Sequence, residues 1–269
     1  MLLDIIILVL RETLEAGALI SVLLCISTQH KFSVRWLYLG LVVGTACATI
    51  YANNFSAISE WFDYAGQEVV NALMQLGIYL CLLFVALWLV FQSNWNHRLV
   101  KAVFALIVVL VITRELAEMV IFYTGFLQSN DALEKAVTSG FVGLMIGISF
   151  GVICYVAINS WSPALSKKIQ VAALSLIAAG MVVQAVQLLM QVDWISSTEV
   201  VWDSNWILAE SSTFGQMIYA VFGYEATPTL LEVSLYATTV IFMLGVSVYR
   251  FKQHPTSDSK EVKEPLIKS

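Results

Sequence analysis

Residues 102–127 read AVFALIVVLVITRELAEMVIFYTGFL, an apolar run with Arg114, Glu115 and Glu118 at its centre. A helix needs roughly 20 apolar residues to cross a bilayer, and this run has them. An ionisable side chain at mid-bilayer depth costs roughly 2.5–3.5 kcal/mol on insertion scales, so three of them together call for a function. The run at 2–27 repeats the arrangement with Arg11, Glu12 and Glu15. Both strings read R-E-x-x-E.

The rest of the chain agrees with a membrane setting. Of its 269 residues 59% are hydrophobic and only 12% charged, and mean hydropathy is +0.81. That composition excludes a soluble domain of this size. A net charge of −5 gives no basic footprint for nucleic acid. The four cysteines, Cys25, Cys47, Cys81 and Cys154, all fall in apolar runs without C-x-x-C spacing, so neither a disulfide framework nor a zinc site is indicated. Residues 1–27 lack a basic start, and three charges interrupt the apolar stretch, so a retained helix is expected rather than a signal peptide.

Seven runs of spanning length are expected, at 2–27, 37–55, 69–92, 102–127, 137–160, 169–192 and 230–250. Lys31 and Arg35, Arg98 and Lys101, Lys167 and Lys168, and Arg250 and Lys252 follow alternate runs. The other connections hold Lys135 and many acids, including Glu60, Asp63, Asp131, Glu134, Asp193, Glu199, Asp203 and Glu210. The positive-inside rule then places the N-terminus outside and the C-terminus in the cytoplasm.

With this topology the chain divides into two units, about 1–92 and 102–192, each opening with an R-E-x-x-E helix. Three helices per unit make the second unit inverted relative to the first, a common transporter plan with its site at the midplane. The second helix of each unit carries spaced glycines, Gly40 and Gly44 in one, Gly143, Gly147 and Gly151 in the other, a pattern for close helix packing. The third helices carry polar stripes, Glu68, Asn71 and Gln75 in one and Gln184, Gln187 and Gln191 in the other. The first stripe is read as an outer vestibule or as interhelical hydrogen bonding, the second as bonding between helices. Helix 7 at 230–250 stands outside the repeat, the permease domain ends at 252, and 253–269 is expected to be a disordered cytoplasmic tail.

Within the outer loop 193–229, Phe214, Met217, Ile218, Val221 and Phe222 recur at helical spacing. Ser211 or Ser212 is placed to cap the start and Gly223 the end. This short helix is expected at the outer interface or packed over the mouth of the bundle. Trp36, Trp61, Trp161, Trp194 and Trp206 lie near expected helix ends and are read as interface anchors.

The second and fifth positions of R-E-x-x-E share a helix face, so Glu12 points with Glu15 and Glu115 with Glu118, while Arg11 lies near Glu15 at i, i+4. If the two helices cross at their centres, four carboxylates meet. They repel unless protons or a cation neutralise them. Arg11 and Arg114 supply two positive charges and fix carboxylate rotamers, leaving a surplus of two negative charges for a multivalent cation. All these ligands are oxygens. His30, His97 and His254 fall in cytoplasmic loops or the tail. Oxygen-only donors suit magnesium, calcium, manganese or ferric iron. A membrane di-iron oxidase normally uses Glu-x-x-His on bundle helices, and no histidine lies at the right depth. An Arg–Glu pair that merely locks two helices is the plain structural alternative.

On these motifs the chain resembles the oxidase-dependent iron permeases of fungi and bacteria. The segment running from Trp202 and Asp203 through Phe214 and Gly215 to Phe222, Gly223, Tyr224, Glu225 and Pro228 is similar to the outer loop of bacterial members. The resemblance implies that the chain is a plasma-membrane transporter, not an enzyme, without a permanently bound cofactor. It implies import of iron, taken up as ferric ion after oxidation by an extracytoplasmic ferroxidase or iron-delivery partner. It also implies Glu12, Glu15, Glu115 and Glu118 as ligands with Arg11 and Arg114 beside them. Where bacterial members carry glycine in the middle of the motif, Thr13 and Leu116 stand here. Some relatives are linked to lead, so lead or manganese is the alternative cargo.

Overall fold

The computed structural model describes residues 2–91, 96–126 and 130–253. The expected tail falls almost wholly outside them. Among the described residues the fold is helical. Seven long helices, α1 (Leu2–Gln29), α2 (Arg35–Asn53), α5 (Gly66–Phe91), α6 (His97–Thr124), α7 (Asn130–Asn159), α8 (Pro163–Gln191) and α10 (Leu230–Gln253), stand where the seven apolar runs were read. Three short ones, α3 (Phe55–Ser59), α4 (Trp61–Tyr64) and α9 (Thr213–Phe222), fill the connections. Five of the long helices are long and apolar enough to cross a membrane. The other two are α1 and α6, which carry the charged residues of the twin motifs.

Several helices begin earlier than their apolar runs, because the first turns are polar but still helical. Asn96 caps α6, its side chain accepting from Arg98 N at 2.9 Å, so His97, Arg98 and Lys101 are helical. Pro163 takes the first turn of α8, where its missing N–H costs no hydrogen bond. The segment between α2 and α5 is not a single extended connection. It folds into α3 and α4, with Phe62, Asp63 and Tyr64 all at positive φ.

The packing interleaves the two units. α1 packs most extensively on α7, α2 on α6, and α5 on α8, while α10 lies against α8 and α5. Each R-E-x-x-E helix therefore rests on the glycine-bearing helix of the other unit. A side chain added at Gly40 would meet Val108 of α6 at 2.7 Å, and one at Gly44 would meet Ile112 at 2.9 Å. On the other pair, a side chain added at Gly143 would meet the Ile6 carbonyl oxygen at 2.6 Å, and one at Gly147 would meet the side chain of Thr13 at 2.6 Å. Ser21 Oγ ties α1 to α7 by donating to the Gly151 carbonyl at 2.7 Å. The glycines are packing devices, and Gly147 is what makes room for Thr13 inside the motif.

Placing alanine at Gly147 is expected to push α1 away from α7 and lower stability by roughly 1–3 kcal/mol, the usual range for overpacking. Adding Thr13→Gly should restore it, since the clash is with the threonine alone. Thermal unfolding of the two variants in detergent checks this, and a double variant no more stable than the single one would refute the contact.

Large apolar side chains are exposed along α2, α7 and α10, among them Tyr38, Val42, Phe141, Ile153, Ile241 and Val248. Such a surface suits lipid rather than water. One interface assignment is corrected. Trp36 is 4% exposed, donates to Ser27 Oγ at 3.0 Å and sets its ring edge-on to Phe104 at 5.2 Å. It is a core residue because Ser27 offers its N–H a buried partner. Trp61, Trp161, Trp194 and Trp206 are exposed.

Residues 193–229 fold back onto the bundle. Val200 bridges Thr229, and Ser204 N donates to the Ala226 carbonyl at 2.8 Å. Ser212 caps α9, its hydroxyl accepting from Gly215 N at 3.0 Å, and Gly223 ends it with φ of 67°. A β-carbon at Gly180 of α8 would meet Gly223 N at 2.9 Å, so two glycines let α9 lie directly on α8. Its Val221 joins Leu10, Leu14 and Ala18 of α1. The helix thus packs on α1 at the level of the first motif. α10 opens with a capping box: Glu232 accepts from Thr229 N at 2.6 Å and Thr229 Oγ1 at 2.8 Å.

Candidate metal centre

α1 and α6 bring the two motifs together deep in the bundle. Glu12, Glu15 and Glu115 are 1%, 5% and 2% exposed. Each offers a carboxylate oxygen, and these oxygens lie within 4.8 Å of one another. Glu118, the fourth predicted ligand, is outside that group and only partly buried.

The arginines are not equivalent. Arg114 is buried and serves both motifs. Its Nη1 donates to Glu115 Oε1 at 2.8 Å and, across the helix interface, to Glu15 Oε1. Its Nε lies 3.5 Å from Glu118 Oε1. Arg11 is 35% exposed and holds only Glu12, with Nε at 2.9 Å and Nη2 at 2.6 Å from one oxygen, Oε1. The spacing rule paired Arg11 with Glu15. The crossing of the helices instead gives Glu15 to Arg114, and Arg11 turns to its chain neighbour.

This leaves acceptors facing acceptors. Glu12 Oε2 and Glu115 Oε2 are buried without any donor, and these two carboxyl groups lie within hydrogen-bonding reach of each other. Carboxylates about 5 Å apart repel by roughly 3 kcal/mol per pair at an effective dielectric near 20. Two arginines against four carboxylates leave a surplus of two negative charges. The arrangement can hold protons between the carboxyls or a multivalent cation between them, and its all-oxygen donor set fits a hard cation.

Of the remaining predicted residues, Asn71 and Gln75 are buried and Glu68 is half-buried. Asn71 Nδ2 donates to Glu118 Oε1 at 3.3 Å. Gln75 Nε2 donates to Gln184 Oε1 at 2.8 Å, joining α5 to α8. Tyr219 Oη donates to Gln187 Oε1 at 2.8 Å, and Gln187 Nε2 donates to Glu225 Oε2. His30 and His97 sit in an aromatic group with Phe32 and Trp88. They are not among the residues of the carboxylate group. His254 falls outside the described residues.

A cleft of about 440 Å³ opens beside the motif. Arg11 forms part of its wall together with Gln187, Tyr219, Glu210, Glu225 and Glu232. The capping-box pattern Thr229-x-x-Glu232 was available as a signal for Glu232, but nothing local announces that the loop folds back to line a cavity. Glu210 Oε1 accepts from Ala226 N at 2.6 Å. Burial, then the charges of Glu210 and Glu232, push the Glu225 carboxyl up from 4.5 to about 7.

The sign of that shift makes a prediction. Between about pH 4.5 and 7 the folded protein keeps a proton on Glu225 that the unfolded chain has released. Stability therefore falls as pH rises through this window. Thermal midpoints at pH 5 and pH 8 should drop more in the parent than in Glu225→Gln. Equal drops would mean the carboxyl is not held protonated.

An all-helical fold with several apolar spans, built around buried carboxylates, defines a multi-pass membrane protein of the kind that handles ions. Over residues 2–252 the chain matches the Iron permease FTR1 family, and it belongs to that family. No curated protein and no solved structure is a significant match. The family is one of transporters, with iron as the substrate that its description names.

Proposed function

We propose that this chain imports iron across the plasma membrane through the carboxylates of its twin motifs, as ferric ion produced by an extracytoplasmic ferroxidase or iron-delivery partner. Residues 1–252 form one permease unit of seven spans, with the N-terminus outside and the C-terminus in the cytoplasm. The basic residues that follow α1 and those in the opening turns of α6 and α8 support that orientation. The exchange of partners, α1 on α7 and α6 on α2, supports inverted repeats.

One observation carries the reading. Carboxylates from both motifs converge at depth, with Arg114 shared between them and two carboxylate oxygens left without donors. A helix lock needs matched charges, whereas this group is overcharged. On the proposed path an ion enters the cleft past Glu210, Glu225 and Glu232, passes Arg11, exchanges water for the oxygens of Glu12, Glu15 and Glu115, and leaves toward the basic side. No bond in a substrate is made or broken.

The test is uptake of radioactive iron by cells lacking their own high-affinity iron importers. The intact chain is supplied with ferrous iron, with or without a ferroxidase. Uptake that needs the ferroxidase supports ferric import. Uptake without it overturns the ferric step. No uptake of iron, but uptake of lead or manganese, overturns iron as the cargo.

A further inference from the structure

We propose that Glu118, Asn71 and Tyr51 form a second position for the transported cation, separate from the Glu12–Glu15–Glu115 group. The proposal rests on the permease reading above and adds a second site to it.

The starting point is that Glu118 lies outside the tight group. Its Oε1 accepts from Asn71 Nδ2 at 3.3 Å, which fixes the Asn71 amide. Turning the amide over would set two acceptors together and lose that hydrogen bond. Asn71 Oδ1 therefore points elsewhere. It is buried and has no donor, in a residue that is only 5% exposed. Tyr51, from α2, repeats the pattern. It is 8% exposed, and its hydroxyl is buried without a partner. The charges of Glu118 and Glu68 both bear on that hydroxyl. The apolar cluster holding the Tyr51 ring includes Ala117 and Val70, the chain neighbours of Glu118 and Asn71.

Buried polar atoms are nearly always hydrogen-bonded. Here an amide oxygen and a phenol oxygen, on two helices, are both unpartnered; the amide is hydrogen-bonded to a carboxylate from a third helix, and the phenol ring packs with that carboxylate's chain neighbour Ala117. A single hard cation with its remaining water answers all three: Glu118 and Asn71 Oδ1 are oxygen ligands, and Tyr51 Oη is a neutral oxygen for the ion or its water. One carboxylate against three makes this the weaker position. A weaker second position suits conduction, since an ion must bind well enough to enter and loosely enough to leave.

The experiment is equilibrium binding of radioactive ferric iron, kept soluble as a weak citrate complex, to the full chain in lipid nanodiscs. The intact chain is expected to bind two ions of different affinity. Asn71→Leu and Tyr51→Phe should each weaken the looser ion at least threefold and leave the tighter one unchanged. Asn71→Asp should strengthen the looser ion, because it adds a carboxylate ligand. Glu15→Gln should weaken the tighter ion alone, by about 10- to 100-fold. A single ion on the intact chain, weakened in Glu15→Gln, overturns the second position and leaves the permease reading standing. So does a looser ion that Asn71→Leu and Tyr51→Phe leave unchanged. Weakening by Asn71→Asp as great as by Asn71→Leu reduces Asn71 to a structural hydrogen bond. No ion on the intact chain overturns both readings.

Discussion

Arg114→Leu is expected to cost about 3–5 kcal/mol and leave little folded protein in the membrane, while Arg11→Leu folds. The two arginines hold the same place in twin motifs, and their surroundings set them apart. Arg114 is buried and is the counter-charge for Glu15 and Glu115, with Glu118 at 3.5 Å. Removing it leaves buried carboxylates uncompensated, and breaking a buried ion pair from one side costs about that much. Arg11 is 35% exposed at the cleft wall and holds Glu12 alone. Glu12 then gains access to water through the space the guanidinium vacates. Membrane levels and thermal midpoints of the two variants check the contrast. Equal loss in both would show that the motifs are equivalent, and the central role given to Arg114 would fall.

That asymmetry marks the limit of what the sequence discloses. Residue spacing on one helix is visible in the chain, so the facing of Glu12 with Glu15 could be read, as could the packing role of Gly40, Gly44, Gly143 and Gly147. The caps of α9 were legible because Ser212 and Gly223 act through local backbone geometry. Register between helices is not local. Whether Glu15 takes Arg11 or Arg114 depends on where α1 crosses α6, and a shift of one turn would change the partner. The same holds for Trp36, whose place near a helix end suggests the interface until Ser27 and Phe104 are found around it. The cleft was least legible of all. Its acids come from a loop whose return path is set by contacts such as that between Gly180 and Gly223, far apart in the chain.

Glu15→Gln is expected to abolish most iron uptake while leaving the protein folded, and this combination separates a transport site from a helix lock. The substitution keeps the size of the side chain and an oxygen for Arg114, so the bundle loses no packing. It also removes one negative charge from an overcharged group, which relieves repulsion rather than adding strain. Stability should hold or rise slightly. A lock loses its grip when an ion pair is neutralised, so on that account the variant unfolds or is unaffected in function. For a metal ligand the loss is in ion affinity. A hydrogen bond or contact to a charged group contributes roughly 1.5–3 kcal/mol, which corresponds to about 10- to 100-fold in binding. Uptake measured below saturation should fall by about that factor, and Glu115→Gln should behave alike, since both carboxylates face the same volume. Glu118→Gln should act more mildly, because Glu118 stands outside the tight group. Folded Glu15→Gln protein that transports at the parental rate would remove the twin motif from the ion path.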